Sequence, residues 1–277
     1  MPDNAPSPAP SRKPYPGFWQ AGLLELIYLA LVIGALIPVG IVDVAFKAHL
    51  ASHPIVTASV QLLAFGLLLL IARRLGGVSI AEWVPTRRVS GQAVVGAIIS
   101  IPGLFILDSQ IGEWVLWLLP MPGWLEHLFE GIVGGRANLL YFVILGPITE
   151  EILFRGIMMR GFTLRYGVWR AIALSTLWFA LFHANPWQFT TAVMPGLLLA
   201  WWYSRTRSLI LCILGHVTNN AIATSLGLGL SGLLPALHPV VSNAAGLVML
   251  AAGCWVVHRS TPEPQVETVP SSARVAA

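Results

Sequence analysis

The chain has 277 residues, 56% of them hydrophobic and only 10% charged, with a mean hydropathy of +0.75. A water-soluble domain carries about 25% charged residues, so composition excludes an ordinary soluble globular protein and implies an integral membrane one. The net charge of +4 sits on basic residues that flank apolar runs and form no separate patch, which argues for topology determinants and against nucleic acid as a partner.

In a bilayer every backbone polar group must be satisfied internally, which only helices and closed barrels achieve. The apolar runs lack the alternation of a lipid-facing barrel strand. The expected fold is therefore an all-α integral membrane protein, a polytopic bundle of about eight transmembrane helices of ~20 residues each.

In chain order, residues 1–19 read as a disordered cytoplasmic N-terminus, rich in Pro and Ser and lacking the apolar core of a cleavable signal. Residues 20–258 read as one transmembrane helical domain. Its spans fall at roughly 20–42, 55–73, 91–108, 138–162, 168–184, 189–204, 208–228 and 238–258 by the length a helix needs to cross. The third can extend through Trp114–Leu119, and the fifth and sixth are short enough for a bent or re-entrant pair. Between the third and fourth lies the longest connection, 109–137, with Trp114, Trp117, Trp124, Glu126, His127 and Glu130, which reads as an interfacial amphipathic helix. Residues 259–277 read as a disordered cytoplasmic tail.

An even number of spans segregates charge. Arg12, Lys13, Arg73, Arg74, Arg87, Arg88, Arg160, Arg165, Arg170, Arg205, Arg207 and Arg259 fall on one side. Lys47 and Arg136 fall on the other, with Asp43, Asp108, Glu113, Glu126 and Glu130. The positive-inside rule then puts both termini in the cytoplasm of a multi-pass cell-membrane protein. Cys212 and Cys254 lie inside apolar runs with no pairing pattern and read as small core residues. Trp201, Trp202 and Tyr203 beside Arg205 read as an interfacial aromatic belt.

Ionisable groups at hydrocarbon depth cost ~2.5–3.5 kcal/mol each on insertion scales and mark functional sites. The stretch Gly146-Pro147-Ile148-Thr149-Glu150-Glu151-Ile152-Leu153-Phe154-Arg155-Gly156 carries three of them. Glu151 and Arg155, four apart on a helix, pair along one face. Glu150 points about 100° away around the axis and stays available. A lone buried carboxylate is tuned upward by desolvation and downward by a nearby imidazolium, either of which suits a general base. Phe179-Ala180-Leu181-Phe182-His183 and His216-Val217-Thr218-Asn219-Asn220 follow on later spans. Counting residues from the cytoplasmic ends puts Glu150 and His183 at ~22 Å depth and Asn220 at ~20 Å, with His216 one turn lower. These groups can converge.

Glu-Glu-x-x-x-Arg, then Phe-x-x-x-His, then His-x-x-x-Asn, in order on successive membrane helices, resembles the CAAX protease and bacteriocin-processing (CPBP or Abi) family of intramembrane endopeptidases, related to the type II CAAX prenyl protease. The motif core runs over residues 138–228, which makes 20–258 a protease domain. The resemblance implies that Glu150 and His183 activate a water for attack on a peptide carbonyl. It implies that His216 and Asn220 stabilise the oxyanion and that Glu151 and Arg155 support the site. The substrate it implies is a membrane-embedded or lipidated protein or peptide, met in the lipid bilayer. No cofactor is expected. Zn²⁺ held by Glu150, His183 and His216 is the disfavoured alternative, since His-Glu-x-x-His is absent. Competing readings are an ion- or proton-coupled transporter, disfavoured because no inverted repeat is visible, and a non-catalytic immunity or scaffold member of the fold.

Overall fold

The computed structural model describes residues 14–50, 53–127, 140–227 and 238–263. Most of the two expected disordered termini, with Arg12 and Lys13, lies outside these residues, as do Glu130 and Arg136. Among the described residues the chain is helical, apart from an isolated bridge between Thr86 and Ser208. The elements are α1 (Phe18–Phe46), α2 (Pro54–Gly76), the single turn α3 (Ile80–Trp83) and α4 (Gly91–Leu118). They continue with α5, one rod built from Tyr141–Leu145, Gly146–Glu151, Ile152–Met158 and Met159–Tyr166. Then come α6 (Val168–Phe182), α7 (Pro186–Thr206), α8 (Leu209–Gly227) and α9 (Pro239–Ser260).

Each span expected from sequence coincides with one of these rods. Among the described residues, four helices (α1, α2, α4 and α9) are long and apolar enough to cross a membrane by length and composition. α5, α6 and α8 carry the polar motifs, and the interrupted or shorter apolar runs of α5 to α8 keep them outside that group. Several boundaries shift. α1 begins at Phe18, inside the segment expected to be disordered, because Gln20 accepts from the Gly17 N–H at 2.7 Å and Tyr166 accepts from the Phe18 N–H at 3.2 Å. α4 runs unbroken to Leu118, the longer of the two readings of the third span, so Asp108 lies well within the helix rather than at its end. α6 and α7 pack against each other around the tight turn His183-Ala184-Asn185, with Ala184 in the left-handed region at φ 54°.

The aromatic belt expected at 201–203 is largely core. Trp202 and Tyr203 are fully buried, and only Trp201 is partly exposed, 5.7 Å beneath the Arg205 guanidinium. They turn inward because α8 packs on this end of α7, where the Trp202 ring lies against Gly215. Cys212 is buried, as expected of a small core residue, and Cys254 is partly so.

The most extensive helix pair is α4 against α9. Gly96 and Gly103 recur two turns apart on α4, as do Gly246 and Gly253 on α9. A Cβ on Gly103 would lie 2.6 Å from the Gly246 carbonyl oxygen, and one on Gly96 would lie 2.7 Å from that of Gly253. Small residues let two backbones touch where lipid gives no hydrophobic drive to associate. This contact fixes α4, and α4 supplies one wall of the cavity described below.

Gly103→Val forces α4 and α9 apart. It is expected to cost ~1–3 kcal/mol, the range for overpacking a close contact, seen as a lowered thermal midpoint of the detergent-purified protein. Gly66→Ala, where an added methyl meets nothing within 4 Å, is the matched control and leaves the midpoint in place.

Candidate active site

The site is built on an irregular helix. Pro147 has no N–H to donate, and in a regular α-helix its ring would collide with the carbonyl four residues back. α5 answers with a widened π-turn over Tyr141–Leu145, in which the Gly146 N–H reaches back to the Tyr141 carbonyl. In that pattern the Phe142 carbonyl would receive its bond from residue 147, which is proline, so it needs another donor. Asn220 of α8 supplies it, donating from Nδ2 at 3.0 Å. Beyond Glu150 and Glu151 the helix widens again over Ile152–Met158.

Between the two widened segments the glutamates diverge as their adjacency requires. Glu151 and Arg155 are both 0% exposed, and Arg155 Nη1 donates to Glu151 Oε1 at 2.8 Å. Arg155 Nη2 donates to the Gly196 carbonyl of α7 at 3.1 Å, and its guanidinium lies 4.6 Å from the centre of the Phe179 ring of α6. His216 of α8 binds the same Glu151 oxygen through Nδ1 at 2.8 Å. A carboxylate only accepts, so Nδ1 carries the proton. The other ring nitrogen, Nε2, turns toward Glu150 Oε2 at 3.7 Å.

Glu150 faces away from this pair, its side chain 21% exposed, into a cavity of about 580 Å³ that His183, His216 and Asn220 also line. His183 sits at the C-terminal cap of α6, where its Nδ1 lies 3.0 Å from the Phe179 carbonyl. A carbonyl also only accepts. Nδ1–H is therefore spent there, and Nε2 keeps its lone pair. Both imidazoles are held in one tautomer by a neighbour.

Of the six residues singled out from sequence, Glu150, His183, His216 and Asn220 line the cavity, while Glu151 and Arg155 lie buried behind it. The cavity has further polar walls that sequence reasoning missed. Asp108 and Ser109 of α4 and Gln188 of α7 line it, as do Asn219, Gln61 and Tyr141. Gln61 Oε1 accepts from Tyr28 at 3.2 Å and also from Tyr141. Tyr28 stacks on Phe182 with centroids 5.9 Å apart. Ending the third span at residue 108 sets Asp108 among the non-cytoplasmic charges, whereas its extension through Trp114–Leu119 carries Asp108 into the helix, as α4 does.

Among the described residues, no three imidazole, carboxylate or thiol groups converge closely enough to hold a metal ion. Glu150, His183 and His216, the three residues named for the zinc alternative, line the same cavity.

The family model described as type II CAAX prenyl endopeptidase Rce1-like matches residues 133–222, the stretch that holds all six of these residues. An uncharacterised 24.3 kDa protein of Escherichia coli is 30% identical over 162 residues, covering 53% of this chain and 70% of that protein. No solved structure matches the chain.

The buried pair makes an asymmetric prediction. Arg155→Met strands the Glu151 carboxylate and is expected to cost ~3–5 kcal/mol, a drop in thermal midpoint on the order of 10 °C. Glu150→Gln, at the cavity surface, is expected to move it by only ~1 °C, since changes away from buried networks stay within about 0.5 kcal/mol. Equal losses for the two variants would contradict this division of labour.

Proposed function

Because the chain belongs to the Rce1-like family of type II CAAX prenyl endopeptidases, we propose that it is an intramembrane endopeptidase using a water activated by Glu150 and His183. Its substrate is a membrane-associated or lipid-modified protein or peptide. The observation that carries the reading is the meeting of Glu150, His183, His216 and Asn220 on one cavity, with a neutralised carboxylate–guanidinium pair directly behind them.

Glu150 takes one proton from the water, and the bare Nε2 of His183 accepts the other water hydrogen as a hydrogen bond. The water oxygen then attacks the peptide carbonyl carbon, and the C=O electrons move onto oxygen. The oxyanion needs donors already in place. Asn220 spends one Nδ2 hydrogen on Phe142 and has a second to offer. His216 spends Nδ1–H on Glu151 and donates from Nε2 only when both ring nitrogens carry protons. Collapse of the tetrahedral species breaks the C–N bond, and Glu150 returns its proton to the departing amine. The products are a free amine and a carboxylic acid that keeps the second water hydrogen until it ionises into solvent, with no covalent enzyme intermediate.

The working protein is a multi-pass cell-membrane enzyme of about eight spans at ~20 residues each. Residues 20–258 form its protease domain, and both termini are cytoplasmic by the distribution of arginines. The reaction proceeds without metal or other cofactor.

Glu150→Gln is expected to lower kcat for a lipidated peptide by ~10²–10⁴-fold, the usual contribution of a general base, with the thermal midpoint unchanged. Cleavage by Glu150→Gln at the parent rate would sink the mechanism. Prolonged dialysis against a strong chelator is expected to leave activity intact, and a loss restored by Zn²⁺ would overturn metal independence.

A further inference from the structure

The wall that α4 and α7 contribute to the catalytic cavity carries groups that the proposed hydrolysis does not use. Asp108 is the first of them. It lies in the interior of α4, and the residues three and four away on either side are Leu104, Phe105, Ile111 and Gly112. No neighbour along the helix is therefore placed to pair with it. Asp108 Oδ1 is buried and has no hydrogen-bond partner among the described residues, while the residue lines the cavity. An ionisable group inside an apolar span marks a functional position, and on a cavity wall its partner can arrive with the ligand.

The hydroxyls on the same wall point to the same kind of ligand. Ser109 Oγ donates to the Phe105 carbonyl of its own helix at 2.7 Å. Thr191 Oγ1 of α7 donates to the Trp187 carbonyl at 3.2 Å. A hydroxyl has one hydrogen and two lone pairs, so what each has left to offer is an acceptor. The two helices meet closely here, since a Cβ on Gly112, one turn beyond Asp108, would lie 3.4 Å from the Thr191 methyl carbon. Gln188 spends its Oε1 on Asn185 at 2.6 Å and keeps an amide donor, which suits a peptide carbonyl.

The cavity is thus divided by polarity. Asn220 and His216 on the α8 side supply donors in the proposed reaction, whereas the α4–α7 wall supplies a carboxylate and two hydroxyl acceptors. Acceptors that include a carboxylate match an ammonium or guanidinium, whose groups donate and never accept. A volume of about 580 Å³ falls within the ~300–1,000 Å³ of sites for small ligands. It admits a short stretch of peptide, so a side chain on this wall belongs to a residue close to the cleaved bond.

We propose that the α4–α7 wall is a substrate subsite for a basic side chain, with Asp108 as the specificity-determining residue that pairs with a lysine or arginine near the scissile bond. The proposal rests on the endopeptidase reading above and names the substrate feature that reading leaves open.

The test uses the full-length detergent-solubilised protein and a set of short palmitoylated, fluorescent peptides of alanine and leucine. Each carries one lysine at a different position, and a matched partner carries norleucine there. Binding is measured in the Glu150→Gln background, so that turnover does not interfere, and cleavage is measured with the parent protein. One lysine position is expected to bind ~10-fold or more tightly than its norleucine partner, the scale of a hydrogen bond to a charged group. Asp108→Asn, close to isosteric, is expected to abolish that preference, and Asp108→Lys to prefer glutamate at the same position. Glu113→Gln, exposed on α4 and off the cavity lining, is expected to keep the lysine preference. Absence of any lysine-preferring position, survival of the preference in Asp108→Asn, or its equal loss in Glu113→Gln would each overturn the proposal. Lysine-dependent binding without cleavage of any peptide by the parent would support the subsite and count against the endopeptidase. Cleavage with no lysine preference would sink the subsite alone.

Discussion

The buried pair of Glu151 and Arg155 is the constraint on which the rest of the helical core depends. Two charges taken out of water are tolerated only when geometry and extra hydrogen bonds compensate for lost hydration. Here the compensation comes from four helices. α5 carries both charges, α6 offers the Phe179 ring, α7 the Gly196 carbonyl and α8 the His216 imidazole. None of these partners can move by a turn without stranding an ion in a low-dielectric interior. Apolar side chains in a bilayer do not discriminate one register from another, since lipid is as apolar as leucine. The pair does discriminate, and it thereby fixes which faces of α6 and α8 meet the Glu150 side of α5.

Irregularity in α5 follows from the same economy of partners. Pro147 removes a donor and widens the helix, and the carbonyl it leaves at Phe142 is covered by Asn220. The residue expected to stabilise an oxyanion is thus also a brace between α8 and α5, and its amide has enough hydrogens for both tasks. His216 has the same double character. Its Nδ1 is bound to the structural pair and its Nε2 faces Glu150, so it links the neutral charge cluster to the exposed carboxylate. Structural and chemical roles cannot be separated by deleting either residue. Glu150 is different, because its carboxylate lines the cavity and meets His216 Nε2 only at the longer distance of 3.7 Å, and this is why it is the informative position for chemistry.

Sequence revealed what short-range helical geometry determines. The four-residue spacing made the Glu151–Arg155 pair legible, adjacency made the divergence of Glu150 legible, and counted depth brought Glu150, His183 and Asn220 to a common level with His216 one turn below. Sequence did not reveal what depends on knowing where an apolar run ends. Asp108 follows such a run and passes for an interfacial charge; sequence left the third span either ending there or extending through Trp114–Leu119, and α4 takes the longer form, to Leu118. Trp202 and Tyr203 have the composition of an interfacial belt, but they are buried because a neighbouring helix covers them. Gln61, Tyr28 and Tyr141 come from three separate helices, and no local pattern announces that they meet. The widened turns of α5 are equally silent in sequence beyond the presence of Pro147.

α3 ties the helix that carries the buried pair to the start of α8, and at that pair Glu151 is answered from within the chain by Arg155 and His216. Trp83 at the end of α3 is almost fully buried, with its backbone against Gly156, the residue after Arg155. Glu82 on the same turn holds Arg160 of α5, and the Pro85 carbonyl just beyond accepts from Leu209 N–H at the start of α8 at 3.2 Å. A continuous path of packed backbone therefore runs from the start of α8 through α3 to the helix that carries Glu150, and α3 thereby helps to hold that helix in register with α8. Contiguity of this kind is not coupling, which requires an element with two arrangements that both sites bias.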